Sequence, residues 1–489
     1  MGSGLCDCCL CCECAANVKL AFVGAGQKLM VFLRNLLHGT TSFDNAEDPL
    51  GLQLNTLDEN VIQLCNDQNL PTLRRLAASE NSMVQQTAAD FFLHLSNHLK
   101  STLPDPFLRP VVTLLYSSDL KVQETASLSL VNFLLKDTIC IDTVVQMKIL
   151  EPLIELFKSG DVVAQSNSCA CIIMLSSSES NANTIIHDGI IPLLALAKSY
   201  DPQVQQDAAW ALLQLSQSEA SIKLLCRCGA LPVLVLLLQS SNSQLQFLSC
   251  AALCNIASVL ELQPALLNAC GHYLIRSLTN LMSSTVTKTA AKACKCLQLL
   301  SNCEHFQVQL MELDWFLPLK TLLRTSSLIY IEPALTLLCT LSAHAPNKDV
   351  LVDEGFLELI GQLCHGQNSC PSIVMQSSVI ISNLINSNFG PEAVKDTVCV
   401  FGLLKVLENQ TLTDEALIQV NSCLLQLIDI DSLRSHVVAQ VGSEHVTRLV
   451  NLSGQRRNPL LSYTCAAILS KLEQTGEGLE KLPLLTRLV

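Results

Sequence analysis

The sequence predicts an all-α fold built from stacked helical repeats, and three observations support this prediction. Of the 489 residues, 49% are hydrophobic and 15% are charged, so the chain can bury a large core. Only 4% are aromatic, whereas β-sandwiches favour aromatic and β-branched residues. A pattern recurs about every 42 residues, which indicates one right-handed superhelix of repeats rather than several separate domains.

The first recurring element is an Asp or Asn followed four residues later by Gln. It opens a stretch of roughly fourteen residues with apolar positions at helical spacing. The Asp or Asn is suited to capping that helix, because its side chain can accept hydrogen bonds from the first free backbone N–H groups. The element occurs at Asn81…Gln85, Asp119…Gln123, Asp161…Gln165, Asp201…Gln205 and Asn242…Gln246.

The second element precedes the first and consists of Gly followed by apolar residues and, in two cases, Pro. It stands at Gly189, Gly229 and Gly355, while Gly271 and Asp314 hold the intermediate slots. Glycine favours the end of one helix, and proline fits the first turn of the next. Each repeat is therefore predicted as a short helix, a glycine break, a medium helix, a capped turn and a long helix.

One position near the middle of each long helix marks about ten repeats between residues 61 and 475. A C-terminal tail is predicted at residues 476–489. The ten positions are His94, Asn132, Met174, Gln214, Asn255, Leu299, Thr340, Asn383, Gln426 and Lys471.

The first 17 residues form a cysteine-rich segment that we predict to be disordered and acylated. Gly2 follows Met1, and this start approximates the N-myristoylation signal, although Cys6 stands where that signal has Ser or Thr. Clustered cysteines nearby are the usual acceptors of palmitate. The alternatives are thiolate binding of a metal ion and an unmodified tail. The lipidation candidates are Gly2, Cys6, Cys8, Cys9, Cys11, Cys12 and Cys14.

Residues 18–60 connect this segment to the repeats. Residues 18–37 contain Lys19, Lys28 and Arg34 and no acidic residue, so this basic amphipathic stretch either lies on an anionic membrane or packs on the first repeat. Residues 38–60 are predicted as a linker. No secretory signal is expected, so the other eighteen cysteines are interpreted as free thiols that fill the core.

Several functional classes are excluded by composition and motifs. The net charge of −13 offers no chain-wide basic field for nucleic acid. The longest apolar run, Ala230 to Leu238, is too short to span a bilayer. Nucleotide-binding, hydrolase and metalloprotease motifs are absent from the sequence. We therefore expect no catalysis, no cofactor, no bound metal ion in the repeats and no small-molecule substrate.

The repeat elements G-x-[IL]-P-x-L, D-x-x-V-Q and A-L-x-[NQ]-[LI]-[AS] together resemble the armadillo-repeat superfamily over residues 60 to 475. More narrowly, residues 189–216, 229–238 and 253–257, with the Met-Gly-Ser start and clustered cysteines, are similar to the vacuolar protein 8 subfamily. That resemblance implies a myristoylated and palmitoylated scaffold on the vacuolar or lysosomal membrane. It further implies roles in vacuole inheritance, cytoplasm-to-vacuole targeting, autophagy or membrane contact.

The armadillo resemblance also implies a concave groove in which Asn side chains of the long helices hold the backbone of an extended partner. An Asn amide can donate and accept at once. The alternative is that these amides only connect neighbouring repeats, with Trp210 part of the core. The groove candidates are Trp210, Gln214, Asn255, Asn132, Asn383 and Gln426.

Two classes of function follow. The first is a lipid-anchored adaptor that recruits protein partners to the cytosolic face of an endomembrane. The second is a soluble armadillo scaffold for adhesion, signalling or cilium assembly, whose cysteine-rich tail binds a metal ion or remains unmodified.

Overall fold

The structure, a computed structural model, describes residues 70–99, 101–177, 179–367, 370–455 and 457–474. The predicted N-terminal acylation segment, the basic stretch, the linker and the C-terminal tail at residues 476–489 lie outside the described residues. Within the described ranges all regular structure is helical and no strand occurs. The prediction of an all-α fold is confirmed.

The described ranges contain α-helices and two 3₁₀ helices, the latter at Asp105–Phe107 and Leu260–Leu262. The α-helices are α1 Leu70–Ala77, α2 Ser82–His98, α3 Leu108–Leu115, α4 Leu120–Leu135, α5 Ile141–Gln146, α6 Leu150–Leu156, α7 Val162–Leu175, α8 Glu179–Leu196, α9 Pro202–Leu215, α10 Glu219–Arg227, α11 Ala230–Leu237, α12 Ser243–Ala257, α13 Gln263–Met282, α14 Thr287–Leu300, α15 Glu304–Met311, α16 Phe316–Leu323, α17 Leu328–Ala343, α18 Ala345–Asp353, α19 Phe356–Gly366, α20 Pro371–Leu384, α21 Gly390–Lys395, α22 Cys399–Glu408, α23 Asp414–Asp429, α24 Asp431–Gln440, α25 Ser443–Ser453 and α26 Pro459–Gln474.

The chain divides into two units, residues 1–181 and 182–489, with the boundary inside α8. In the first unit the long helices α2, α4 and α7 pack side by side. In the second, α9, α12, α14, α17, α20, α23 and α26 form a layer in the same order as in the sequence. A second layer packs behind it, and its helices are shorter except for the 20-residue α13. Each of the ten marked positions lies on a different long helix.

The five predicted Asp and Asn caps all lie at the N-termini of long helices, as the sequence predicts. Each side chain accepts a hydrogen bond from a backbone N–H in the first turn. Asp201, for example, accepts from the amides of Gln203 and Val204 at 2.9 and 3.0 Å. These bonds satisfy donors that would otherwise lack a partner, so they determine where each of these five helices begins.

The predicted glycine breaks are confirmed at two positions and wrong at two others. Gly229 and Gly355 take φ values of 84° and 74° and separate two helices, as only glycine does at low cost. Asp314 also lies in a turn, before α16. Gly189 and Gly271 instead lie inside α8 and α13. Neither has a positive φ, so the first two helices of these repeats join into one.

The core contains leucine, alanine and cysteine, and none of the seventeen cysteines in the described ranges forms a disulfide. Eleven of them are buried, which agrees with their interpretation as core residues. Burial raises the pKa of Cys399 and of Cys423 to about 12, so both stay protonated. Cys140 is a correction to this interpretation, because it is exposed at the start of α5.

No single helix among the described residues has both the length and the hydropathy to cross a bilayer. Two consecutive helix pairs pass jointly by length and composition, but they are bent by 92° and 102°.

Candidate functional site

In each unit the candidate site is the solvent-facing side of the long helices, which carries the marked positions of that unit; we call it the ladder face of the unit. Eight of the ten residues are half-buried, Asn132 is buried and Gln426 is exposed. The flanks of each long helix are packed against its neighbours, so the ladder face is the side of these helices that remains open to a partner.

The glutamines of the repeated motif hold each long helix against the helix that precedes it. In four repeats the side-chain amide donates to a backbone carbonyl at the end of the preceding shorter helix or in the turn after it. The bonds join Gln85 to Ala77 at 3.2 Å, Gln123 to Leu115 at 3.0 Å, Gln165 to Phe157 at 3.0 Å and Gln246 to Ser240 at 2.7 Å. Two side chains of the motif therefore stabilise the tight turn: the Asp or Asn caps the long helix, and the Gln bonds the preceding helix.

Three of the ladder amides connect successive long helices. In each case Asn donates to a serine hydroxyl of the preceding repeat, and that hydroxyl donates to the carbonyl three residues before it. The pairs are Asn132 with Ser96 at 3.1 Å, Asn255 with Ser216 at 3.0 Å and Asn383 with Ser342 at 3.1 Å. These bonds orient the amides, and sequence analysis did not identify the serines. A signal was present, since Ser stands two residues after the marked position in five repeats.

The ladder amides differ in exposure and in the hydrogen-bonding atoms that a partner can reach. Asn132 is only 5% exposed, and its amide nitrogen also donates to Asn97 at 3.1 Å. Asn255 and Asn383 are half-buried, and no described residue donates to the Oδ1 atom of either. These two acceptors can therefore take a hydrogen bond from the backbone N–H of a bound chain.

The other predicted groove residues fall into two groups. Trp210 and Gln214 lie one turn apart on α9, which packs directly against α12 with its Asn255. All three are half-buried, so the structure brings them together on one part of the ladder face. Asn383 and Gln426 lie on the adjacent helices α20 and α23 farther along the same unit.

The remaining candidates are placed elsewhere. Asn132 belongs to the first unit. The lipidation candidates Gly2, Cys6, Cys8, Cys9, Cys11, Cys12 and Cys14 lie outside the described residues.

An acidic pair lies at the junction between α4 and α7. Burial, followed by the charge of Asp161 and a hydrogen bond with it, raises the pKa of Glu124 to about 7. Asp119 raises this pKa further, and Lys121 lowers it. In the second unit the equivalent positions carry a neutral pair, in which Asn242 Nδ2 donates to Gln206 Oε1 at 3.4 Å. A proton on Glu124 would let it donate to Asp161, whereas in the other repeat the donor is Asn242, at the position equivalent to Asp161.

We expect Glu124→Gln to make stability less dependent on pH. The pKa of Glu124 is higher in the folded chain than in the unfolded chain, so the folded state binds more protons and loses stability as pH rises from about 4.5 to above 7. The variant should match wild type at pH 5 and exceed it at pH 8 by about 1 kcal/mol, after discounting for solvent screening. Urea unfolding at both pH values measures this. The exposed Glu80→Gln is the control, and an equal difference at pH 5 and pH 8 would contradict the prediction.

One group among the described residues has the composition of a metal site. The ligand atoms of Glu408, Glu444 and His445 lie within 4.8 Å of one another. However, His445 Nδ1 accepts a hydrogen bond from the amide of Gly442 at 2.9 Å, and Nε2 lies 3.3 Å from Glu408 Oε1. Both ring nitrogens thus have partners within the protein, and Nδ1 caps the N-terminus of α25.

Comparison with known proteins agrees with this architecture. The family model for the Armadillo/beta-catenin-like repeat matches residues 178–217 and 218–258. Comparison with curated protein sequences gives no match. An engineered protein solved by the Northeast Structural Genomics Consortium is 21% identical, with 83% of this chain and 98% of that chain covered and a TM-score of 0.68. A computationally designed armadillo repeat protein for modular peptide recognition is 21% identical. The match covers 47% of this chain and 99% of that chain, with a TM-score of 0.43.

Residues 178–258 therefore match two armadillo/beta-catenin-like repeats. The described residues as a whole share the all-helical repeat fold of the engineered protein with a TM-score of 0.68.

Proposed function

We propose that the chain is a lipid-anchored armadillo-repeat adaptor that holds protein partners at a vacuolar or lysosomal-type membrane. The observation that carries the adaptor role is the part of the ladder face formed by α9 and α12. There Trp210, Gln214 and Asn255 lie half-buried on adjacent helices.

The chemistry of this area suits an extended segment of a partner. The indole of Trp210 can contact an apolar side chain, and such aromatic residues often dominate binding energy. The oriented Oδ1 of Asn255 and the amide of Gln214 can bond the backbone of the partner, at about 0.5 to 1.5 kcal/mol for each hydrogen bond. Recognition of backbone groups permits several partners, as an adaptor requires.

The membrane anchor rests on the sequence around Gly2 and the six following cysteines. A single myristoyl chain binds membranes weakly, and one added acyl chain makes the attachment stable. By the resemblance to the vacuolar protein 8 subfamily, the adaptor would act in vacuole inheritance, cytoplasm-to-vacuole targeting, autophagy or membrane contact.

Peptide binding tests the adaptor role. Extended peptides are selected on the full chain from a displayed library, and their Kd is measured by fluorescence anisotropy. We expect Trp210→Ala with Gln214→Ala and Asn255→Ala to weaken binding at least about tenfold, because an aromatic contact and up to two hydrogen bonds are lost.

The matched control is Ser216→Ala, which removes the same Asn255 bond between helices but leaves all three partner-facing side chains in place. It should lower stability by about 1 kcal/mol and keep peptide affinity within about threefold. Equal peptide binding by wild type and the folded triple variant would exclude this site.

A further inference from the structure

The long helix α14 carries a basic stripe that no assigned role explains. Its lysines are Lys288, Lys292 and Lys295, and the helix contains no acidic residue. The spacing of four and then three residues places all three on one side of an α-helix, within about 11 Å along its axis.

The other sides of α14 are buried, so the stripe belongs to the ladder face. Lys288 is exposed, and Lys292 and Lys295 are half-buried. The buried residues of the helix are Thr289, Ala290, Ala291, Ala293, Cys294, Cys296, Leu297 and Leu300.

No ion pair within the described residues neutralises the two end residues of the stripe, Lys288 and Lys295. Among the described residues no carboxylate forms an ion pair with Lys288 or Lys295, and Lys295 Nζ instead donates to Gln298 Oε1 at 2.6 Å. The neighbouring α12 has no charged residue, and α17 has only Glu332. In a chain of net charge −13 this is a local positive area.

The stripe is also in register with the aromatic residue of the candidate site. Lys295 lies four residues before the marked position Leu299, just as Trp210 lies four residues before Gln214. The distance from α9 across α12 to α14 is two interhelical spacings, or about 20 Å. An extended chain covers that distance in about six residues.

We infer that the ladder face of the second unit binds an extended acidic segment of a partner protein. An apolar side chain of that segment contacts Trp210, and Asp or Glu residues about six positions away pair with Lys288, Lys292 and Lys295. This inference rests on the proposed adaptor function and adds the chemistry of the partner. Opposite charges at this end also give the bound segment a direction, because a reversed chain would place its acids against α9, which carries the acidic Asp207, and against the uncharged α12.

The test uses three fluorescein-labelled peptides and the full chain. The first has Phe near one end and three consecutive Glu centred about six residues further on; the second has Gln in place of Glu; the third has the Glu residues next to Phe. We expect the first peptide to bind at least about fivefold more tightly than the other two, and its advantage to shrink as salt is raised from 50 to about 300 mM.

Charge reversal locates the contact. Lys288→Glu with Lys295→Glu should remove the preference for the first peptide, whereas Lys198→Glu with Lys348→Glu makes the same charge change elsewhere in this unit and should preserve it. Melting temperatures of both double variants verify folding, and Lys288→Gln with Lys295→Gln gives the same test without added negative charge.

The outcomes separate the two proposals. If the Gln peptide binds as well as the Glu peptide and both depend on Trp210, the acidic partner is wrong and the adaptor role stands. If none of the three peptides binds wild type, the acidic partner is wrong, and the library selection described above decides the adaptor role separately. Binding of phosphatidylserine vesicles through these lysines, with no preference among peptides, would show that the stripe contacts lipid and would overturn the inference.

Discussion

Replacing Gly361 by Ala is expected to destabilise the second unit by about 1 to 3 kcal/mol. Gly361 lies where α19 crosses α22, and a Cβ atom there would be 2.8 Å from the backbone nitrogen of Cys399 and 3.0 Å from its Cα. These are backbone atoms, so the clash can be relieved only by moving one helix. Gly402 faces Gly361 from α22, and its added Cβ would lie 2.6 Å from the carbonyl oxygen of Gly361.

The matched control is Gly366→Ala, at the C-terminal end of the same helix. An added Cβ at Gly366 meets no atom within 4 Å, so this variant should be neutral or gain a few tenths of a kcal/mol from the higher helix propensity of alanine. Urea unfolding of both variants gives the comparison. Equal stability of Gly361→Ala and wild type would mean that the two helices do not approach as closely as described.

The long helices and their caps could be predicted because each depends on a few neighbouring residues. Asp201 caps α9 through backbone amides two and three residues away, and the apolar pattern that follows repeats once per turn. Such signals are contained within one helix. Their repetition at about 42 residues is what reveals the stacked architecture.

The glycine breaks could be predicted only in part, because glycine permits a positive φ but does not require it. Gly229 and Gly189 stand in nearly the same local sequence, with Pro three residues later. One turns the chain and the other continues as helix, even though Pro192 removes a backbone donor inside α8. The packing around each repeat decides between the two, and that packing involves residues distant in sequence.

The details of the candidate site were the least predictable. The amide of Asn255 was identified from its place in the repeat, but its bond to Ser216 joins residues 39 positions apart. The close approach at Gly361 likewise depends on a helix that begins almost 40 residues later. The sequence alone identifies positions of this kind. Their partners can be assigned only after the stacking of the helices is known.

Membrane attachment is expected to depend almost entirely on Gly2 and the proximal cysteines. Myristoylation requires a free N-terminal glycine, and weak membrane binding through myristate is what brings neighbouring cysteines to the palmitoylating enzymes. Each buried methylene contributes about 0.8 kcal/mol, so loss of both chains removes most of the binding free energy.

In cells, Gly2→Ala should lower the membrane-bound fraction at least about tenfold in vesicle flotation, and so should replacement of all six cysteines at positions 6, 8, 9, 11, 12 and 14 by Ser. Gly4→Ala is the matched control, because it changes a nearby glycine without touching the acceptor, and it should float like wild type. The melting temperature should stay unchanged in all variants, since the substitutions precede the first described helix, which begins at Leu70. Full flotation of both variants would rule out the lipid anchor, and release of stoichiometric Zn²⁺ from the wild-type chain on chelation would favour a metal-binding tail.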